Sequence, residues 1–206
     1  MSRFILLCFT VSFASFVLAG NAAQAAPEPE LVSPSWQLDF DFERPDAIAV
    51  ETLTGEVQWY WYMTYTVTNE TGATRLFVPD ITIADDTGRL MAAGEGVPSR
   101  VFRAIRDKLR STALMSQTQI VGQLLEGDDY ARTGVAIWPA AVQDDLDEYR
   151  VFVAGLSGET ATTTDPITGE TVLLRRTLML RFELPGDDES PEEQPVILAE
   201  RREVMR

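Results

Sequence analysis

The chain has 206 residues, no histidine, one cysteine at position 8, and 32 Asp+Glu against 17 Lys+Arg, a formal net charge of −15. Without histidine there can be no Ser-His-Asp triad, Cys-His dyad or Cys/His zinc site, and one cysteine cannot close a disulfide within the chain. So acidic a chain is poorly suited to nucleic acid or anionic membranes, which are bound through cationic side chains. No nucleic-acid partner and no cofactor are expected.

Arg3 precedes an apolar run over residues 4–18 that is short for a membrane span, and Ala23-Gln24-Ala25 has the small-x-small form of a cleavage site. Residues 1–25 therefore read as a secretory signal peptide, which implies an exported protein, periplasmic or extracellular, with no membrane span after cleavage. Cys8 lies inside the apolar run and would leave with it. Residues 26–35, with Pro27, Glu28, Pro29 and Glu30, read as an extended Pro/Glu linker. Residues 36–206 are enough to bury one core without staples, so a single domain is expected.

Trp36, Leu38, Phe40 and Phe42 alternate with Gln37, Asp39, Asp41 and Glu43, the pattern of a strand with one dry face, and Pro45 ends it. Residues 57–69, VQWYWYMTYTVTN, form the longest strand-like run. Trp59, Trp61, Met63, Tyr65 and Val67 fall on one face, and Tyr60, Tyr62, Thr64, Thr66 and Thr68 on the other. At about 3.3 Å per residue the run would extend roughly 40 Å, so it should be central and bent. Its tryptophan face is expected to pack on Trp36, Leu38, Phe40 and residues 178–184.

Thr54-Gly55, Thr71-Gly72, Thr87-Gly88 and Thr168-Gly169 stand between strand-like runs and read as turns. Residues 76–84 and 89–93 should pair across one of them, with Pro79 marking an edge or a bulge. The pattern then changes to helical over 99–110, with Ser99 as the expected cap. Val101, Phe102, Ile105 and Leu109 share one arc, and Arg100, Arg103, Arg106 and Arg110 the opposite one. Further strands are expected over 118–125, 133–138, 149–156, 172–184 and 195–200, with a mobile acidic loop over 187–193. The fold expected is mainly β: an antiparallel β-sandwich, immunoglobulin-like in style, with one inserted amphipathic helix near 99–110 packed over one end.

The stretches Tyr60-Trp61-Tyr62 and Thr64 to Asn69, the turn Asp165-Pro166-Ile167-Thr168-Gly169, and Leu173 to Leu178 running on to Leu184-Pro185-Gly186-Asp187 together resemble uncharacterised exported bacterial β-sandwich proteins that carry signal peptides. The resemblance covers most of the chain after residue 25. It implies export and a β fold, and it brings no activity and no catalytic residues.

Three groups are candidates for function. Tyr60 and Tyr62, or Trp59 and Trp61, stand about 7 Å apart on alternate positions, a spacing on which sugar rings could stack if the rings are exposed. Asp144, Asp145, Asp147 and Glu148, with Asp85-Asp86 and Asp128-Asp129, supply carboxylates of the kind used by glycosidases or calcium sites, but without EF-hand spacing. Arg100, Arg103, Arg106 and Arg110 could grip a polyanion through guanidinium contacts. Asn69-Glu70-Thr71 matches a glycosylation acceptor but sits where a turn is expected, and Lys108, the sole lysine, lies on the charged helix. The function expected is a non-catalytic exported interaction or structural module of the cell envelope, its partner a protein or an envelope polysaccharide. A carbohydrate-binding module using the aromatic strip and a carboxylate-based glycosidase are the alternatives.

Overall fold

The computed structural model describes residues 35–140, 147–185 and 193–206. The expected signal peptide, the linker up to residue 34, Asp144, Asp145 and the acidic loop up to residue 192 lie outside the described residues.

In chain order the elements are β1 (Asp39–Phe42), β2 (Asp46–Glu51), β3 (Val57–Thr68), β4 (Arg75–Phe77), β5 (Asp80–Asp85), β6 (Leu90–Ala92), α1 (Ser99–Lys108), β7 (Gly122–Leu124), β8 (Arg132–Pro139), β9 (Glu148–Ala154), β10 (Thr160–Thr164), β11 (Thr171–Glu183) and β12 (Ile197–Met205). Every strand pairing is antiparallel. The described residues are thus mainly β with one α-helix, as the period-two alternation predicts. The glycines of all four Thr-Gly turns take positive φ, between 73° and 85°, the conformation that turns of this kind require.

The first sheet is organised on β3. One edge of β3 is shared end to end by two short strands: β2 pairs with Val57 to Tyr62, and β1 with Tyr65 to Thr68. The other edge pairs with β8. Phe42 faces Tyr65 and Asp46 faces Tyr62, so three residues on one side oppose two on the other. This is a bulge of one residue, held by the Glu43 amide donating to the Thr64 carbonyl at 3.0 Å, with Pro45 where no donor is needed. An odd insertion reverses the alternation. Phe40 and Phe42 therefore face the second sheet, whereas in β2 Ala47 takes that direction and Ile48 and Val50 point the opposite way.

The second sheet repeats the construction on β11. β9 pairs with Leu178 to Glu183 and β10 with Thr171 to Arg175 along one edge, and β12 occupies the other. β5 and β6 extend the sheet beyond β9. Between β9 and β10 the chain leaves the sheet and reaches the first one. Leu156 is buried and its carbonyl accepts from the Leu38 amide at 2.7 Å, while the Gly158 amide donates to the Trp36 carbonyl at 3.1 Å. Glu159 then returns to β11, where its carboxylate meets the Arg176 guanidinium at 2.8 Å.

The inner faces of both sheets feed one core, an arrangement consistent with a β-sandwich. Trp61 meets Tyr149 at a ring separation of 5.8 Å, and Phe42 meets Phe182 edge-on at 6.2 Å. Such aromatic pairs contribute roughly 0.5–1.5 kcal/mol each beyond their burial. The expected packing of Trp61, Met63, Tyr65 and Val67 on Leu38, Phe40 and the Leu178 to Leu184 stretch is present, with Trp36 and Trp59 partly buried at its margin.

Four expectations are corrected. Residues 76–84 are not one strand: Pro79 separates β4, which pairs with β7, from β5, which enters the second sheet. β2 and β10 are strands that alternation does not mark, because Asp46–Glu51 carries only a weak apolar pattern and Thr160–Thr164 is almost all threonine. Ser99 is the first helical residue, not the cap; Pro98 holds the cap position and no side chain caps the helix. The helix lies on a sheet face, not over one end.

The Asn69-Glu70-Thr71 turn is confirmed in detail. Asn69 is fully buried; its amide donates to the Ala73 and Leu124 carbonyls at 2.9 and 2.8 Å, and its side-chain oxygen accepts from the Thr71 amide and hydroxyl. Asn69→Asp replaces both donors with an acceptor against two carbonyls. A loss of about 3 kcal/mol or more, read as a lowered urea midpoint, is expected.

The hydroxyls of Tyr65 and Tyr149 are buried with no hydrogen-bond partner among the described residues, and burial pushes both phenols above their ordinary value of 10.0. Ionisation is favoured in the unfolded chain, so stability is whole below pH 10 and drains away as pH rises above it. Tyr65→Phe should leave stability at pH 7 unchanged or raise it by up to about 1 kcal/mol, and should flatten part of the alkaline loss in thermal melts taken from pH 8 to 11.

Candidate functional site

Helix α1 forms because residues 99–108 place Val101 and Ile105 one turn apart on a single face. Both are fully buried, against Tyr60, Tyr62, Val135, Ile137 and Leu114, with Ile48, Val50, Val97 and Phe102 around them. This is a second core on the outer face of the first sheet. Tyr60 is 1 % and Tyr62 3 % exposed, so neither ring is available to stack a sugar. With Trp61 also buried and Trp59 packed at the margin of the main core, β3 presents no exposed aromatic strip. Where the helix covers it, at Tyr60 and Tyr62, the face that alternation marks as half-wet is dry; Thr64, Thr66 and Thr68 on the same face stay half-buried.

The C-terminal end of α1 is pinned by a polar cluster. The Tyr62 hydroxyl donates to Asp46 Oδ2 at 2.6 Å, Lys108 Nζ donates to the same oxygen at 2.9 Å and to the Ala47 carbonyl at 3.1 Å, and the ammonium lies 5.4 Å from the Tyr62 ring centre. Burial alone would raise the Asp46 carboxyl, but the bonds from Tyr62, Lys108 and the Ala47 amide hold it below the usual carboxylate value. Lys108 is therefore an anchor of the helix.

Opposite the buried face, Arg103, Arg106 and Arg110 are exposed and Arg100 is half-buried. None of the four makes an ion pair with a described carboxylate; Arg106 lies 5.9 Å over the Phe102 ring. In the second sheet, by contrast, Arg181 meets Glu148, Glu183 and Glu200, and Arg176 meets Glu159. Arg110 has φ of 50° and is the sole non-glycine residue with positive φ among the described residues. It occupies the position after the C-cap Leu109, where the Ser111 amide donates to Arg106 and the Arg110 amide to Asp107, the pattern of a Schellman ending that usually takes glycine. An arginine there carries backbone strain of roughly 1 kcal/mol, offset in part by its favourable charge at the helix C-terminus.

The candidate carboxylates among the described residues serve turns. Asp85 accepts from the Thr87 hydroxyl at 2.6 Å and the Arg89 amide at 2.8 Å, and Asp128 and Asp129 begin a single 3-10 turn. Glu148 pairs with Arg150 and Arg181. No group of three or more Asp, Glu, His or Cys among the described residues is placed to hold a metal ion. No described helix is long and apolar enough to cross a membrane.

The outer face of the second sheet carries a shallow groove of about 380 Å³ lined by residues of β5, β9 and β11 together with Arg206. Its lining residues are scattered from position 80 to position 206, so no local sequence pattern marks them.

Lys108→Met should weaken the docking of α1 by about 1 kcal/mol, seen as faster amide exchange at Val101 and Ile105. The lowered Asp46 carboxyl contributes stability above pH 4 that is lost as pH falls below it, so the same amides should lose protection on acidification in the wild type and less so in Asp46→Asn. Arg110→Gly should keep or gain stability, by up to about 1 kcal/mol.

Compared with protein-family models, with characterised proteins and with solved structures, the chain matches none.

Proposed function

We propose that this protein is an exported, non-catalytic interaction module of the cell envelope, and that the arginine face of α1 is the surface that meets its partner. The observation that carries the reading is the row Arg100, Arg103, Arg106 and Arg110, which stands without described ion-pair partners on a chain of net charge −15. Arg100, Arg103 and Arg106 span about 9 Å along the helix, with Arg110 just past its C-cap, and the row is set on a base fixed by two buried tyrosines and the Lys108 anchor. Such a ladder of planar, permanently charged donors fits a linear polymer bearing repeated carboxylates, an acidic polysaccharide of the envelope. The left-handed Arg110 supports this: a strained residue held where glycine would be easier is a feature to connect with function.

The aromatic-strip reading loses its support with the burial of Tyr60 and Tyr62. Glycoside hydrolysis uses two carboxyl groups about 5 to 10 Å apart across a cleft, and the groove on the second sheet is lined by a single one, Asp80.

On immobilised polygalacturonate at low salt the protein should be retained, with binding falling steeply as salt rises. The variant Arg103→Ser/Arg106→Ser/Arg110→Ser should bind at least tenfold more weakly while its thermal melt is unchanged within a few degrees. No retention of the wild type, or equal retention of the variant, defeats the polysaccharide reading. Export is tested separately: secretion in a bacterial host should yield a chain whose measured mass begins at Ala26.

A further inference from the structure

Beyond Ala154 of β9, and beyond Arg206, which bonds Arg175, strands β10 and β11 run on as a two-stranded arm. A turn over Asp165 to Glu170 closes it, the Asp165 carboxylate accepting from the Ile167 and Thr168 amides at 2.7 and 3.1 Å. Two strands by themselves are marginal in water, and this arm leaves Leu173 56 % and Ile167 92 % exposed. The Arg176 amide donates to the Glu159 carbonyl at 3.1 Å and the Asp165 amide to the Glu170 carbonyl at 2.8 Å. Antiparallel pairing alternates, so residues 159, 161, 163 and 165 turn their backbone bonds towards β11. The amides and carbonyls of Thr160, Thr162 and Thr164 therefore point the other way, along an edge where the side chains are exposed and no other described strand pairs. The remaining long edges are protected against pairing. β12 skips Ala199 in a bulge and carries Glu200, Arg201, Arg202 and Glu203, with Arg201 reaching to the Phe40 carbonyl. On β2 the amide and carbonyl of Ala47 are taken by Asp46 and Lys108, and on β8 Gly94 and Met115 bond the edge. Among the described residues, β10 is the free edge longer than three residues that has no charge, no proline and no bulge.

We propose that the free edge of β10 pairs antiparallel with β10 of a second copy of this chain, about a two-fold axis at Thr162. In that register Thr162 faces Thr162 of the second copy, and Thr160 faces its Thr164. Every outward N–H then meets an outward C=O, because the outward residues stand evenly about Thr162. An edge that matches itself in this way makes a closed, symmetric contact, and the two arms become one four-stranded ribbon. The side chains fit the same register: threonine lies beside threonine on one face, and Ala161 beside Thr163 on the other. No charge faces a like charge along the paired strands, which favours this contact between two bodies of net charge −15. Just past them Asp165 of each copy approaches Glu159 of the other, which Arg176 already offsets. The contact is only five residues a side, so the dimer is weak and reversible.

Sedimentation of the purified protein between about 1 μM and 1 mM should show a monomer–dimer equilibrium that moves towards dimer as salt rises, because screening relieves the repulsion of two acidic bodies. This is the reverse of the salt response expected for polysaccharide retention. Amide exchange reads the register: protection at Thr160, Thr162 and Thr164 should rise at least tenfold from the dilute to the concentrated sample, and far less at Ala161 and Thr163, which already bond β11. Thr162→Pro removes an outward donor and no bond to β11, and Thr162→Lys sets like charges against each other across the axis. Each should weaken dimerisation at least tenfold while the melt of the dilute protein stays within a few degrees. Thr162→Lys, on an exposed side chain, decides the matter should proline disturb the arm. The triple α1 arginine variant should dimerise as the wild type does, which separates this edge from the polysaccharide surface. The proposal is overturned by a monomer at every concentration and salt, by a dimer that Thr162→Lys leaves intact, or by concentration-dependent protection that spares Thr160, Thr162 and Thr164.

Discussion

The structure depends on the enclosure of the middle of β3. Its backbone is hydrogen-bonded along both edges, to β1 and β2 on one side and to β8 on the other, and from Tyr60 to Met63 both of its faces are dry, while Thr64, Thr66 and Thr68 stay half-buried. Trp61, Met63, Tyr65 and Val67 enter the core shared with the second sheet, while Tyr60 and Tyr62 enter the smaller core beneath α1. A strand with water on one face would tolerate a charge at every second position. From Tyr60 to Met63 this one tolerates none, which is why four consecutive residues there are buried aromatics or methionine.

The same device builds both sheets. β3 and β11 are each long enough for two short strands to lie end to end along one edge, and the joint between the short strands is where the fold does something other than continue. At Glu43 to Pro45 a one-residue bulge reverses which side chains face the core, letting β2 supply Ile48 and Val50 to the helix. At Gly155 to Glu159 a longer excursion ties the second sheet to the strand entering the first and brings Glu159 onto Arg176. Gly155 allows this because a Cβ there would lie 2.4 Å from the Val78 carbonyl oxygen, and its φ of 89° suits glycine. The Glu159 to Arg176 pair is largely withdrawn from water, so removing one partner leaves a poorly solvated charge, a more damaging change than loss of a surface ion pair.

Charge is distributed in keeping with this frame. Arg176 and Arg181 of β11 are balanced by glutamates on β9, β11, β12 and the loop before β10, so they serve the fold. The arginines of α1, and the pair at positions 175 and 206, have no such balance among the described residues. The first group is carried on a helix seated on two tyrosines, with Arg110 just past its C-cap, and the second on a cross-strand pair in a groove that Asp80 also lines. Rigid, uncompensated charge on an oppositely charged body is suited to recognition, since little ordering of the protein is needed when an anion arrives.

Much of the fold is legible in the sequence wherever the physical rule is local. Alternation at period two locates β1, β3, β8, β9 and β11, the Thr-Gly pairs locate turns, and the 100° arc of Val101 and Ile105 against four arginines locates α1 and its two faces. The tryptophan side of β3 and its partners follow from the same alternation. Tertiary structure decided the rest. Period two states that a strand has two faces, not what covers them, so the burial of Tyr60 and Tyr62 depended on where a helix forty residues later would land. Pro79 reads as an edge or a bulge, and only the pairing of β4 with β7 and of β5 with β9 shows that the strand breaks there. β10 has no apolar pattern because it is held by backbone bonds to β11 on one edge and packs little. The groove of Arg175 and Arg206 is formed by register between strands distant in sequence, and register is a property of the assembled sheet.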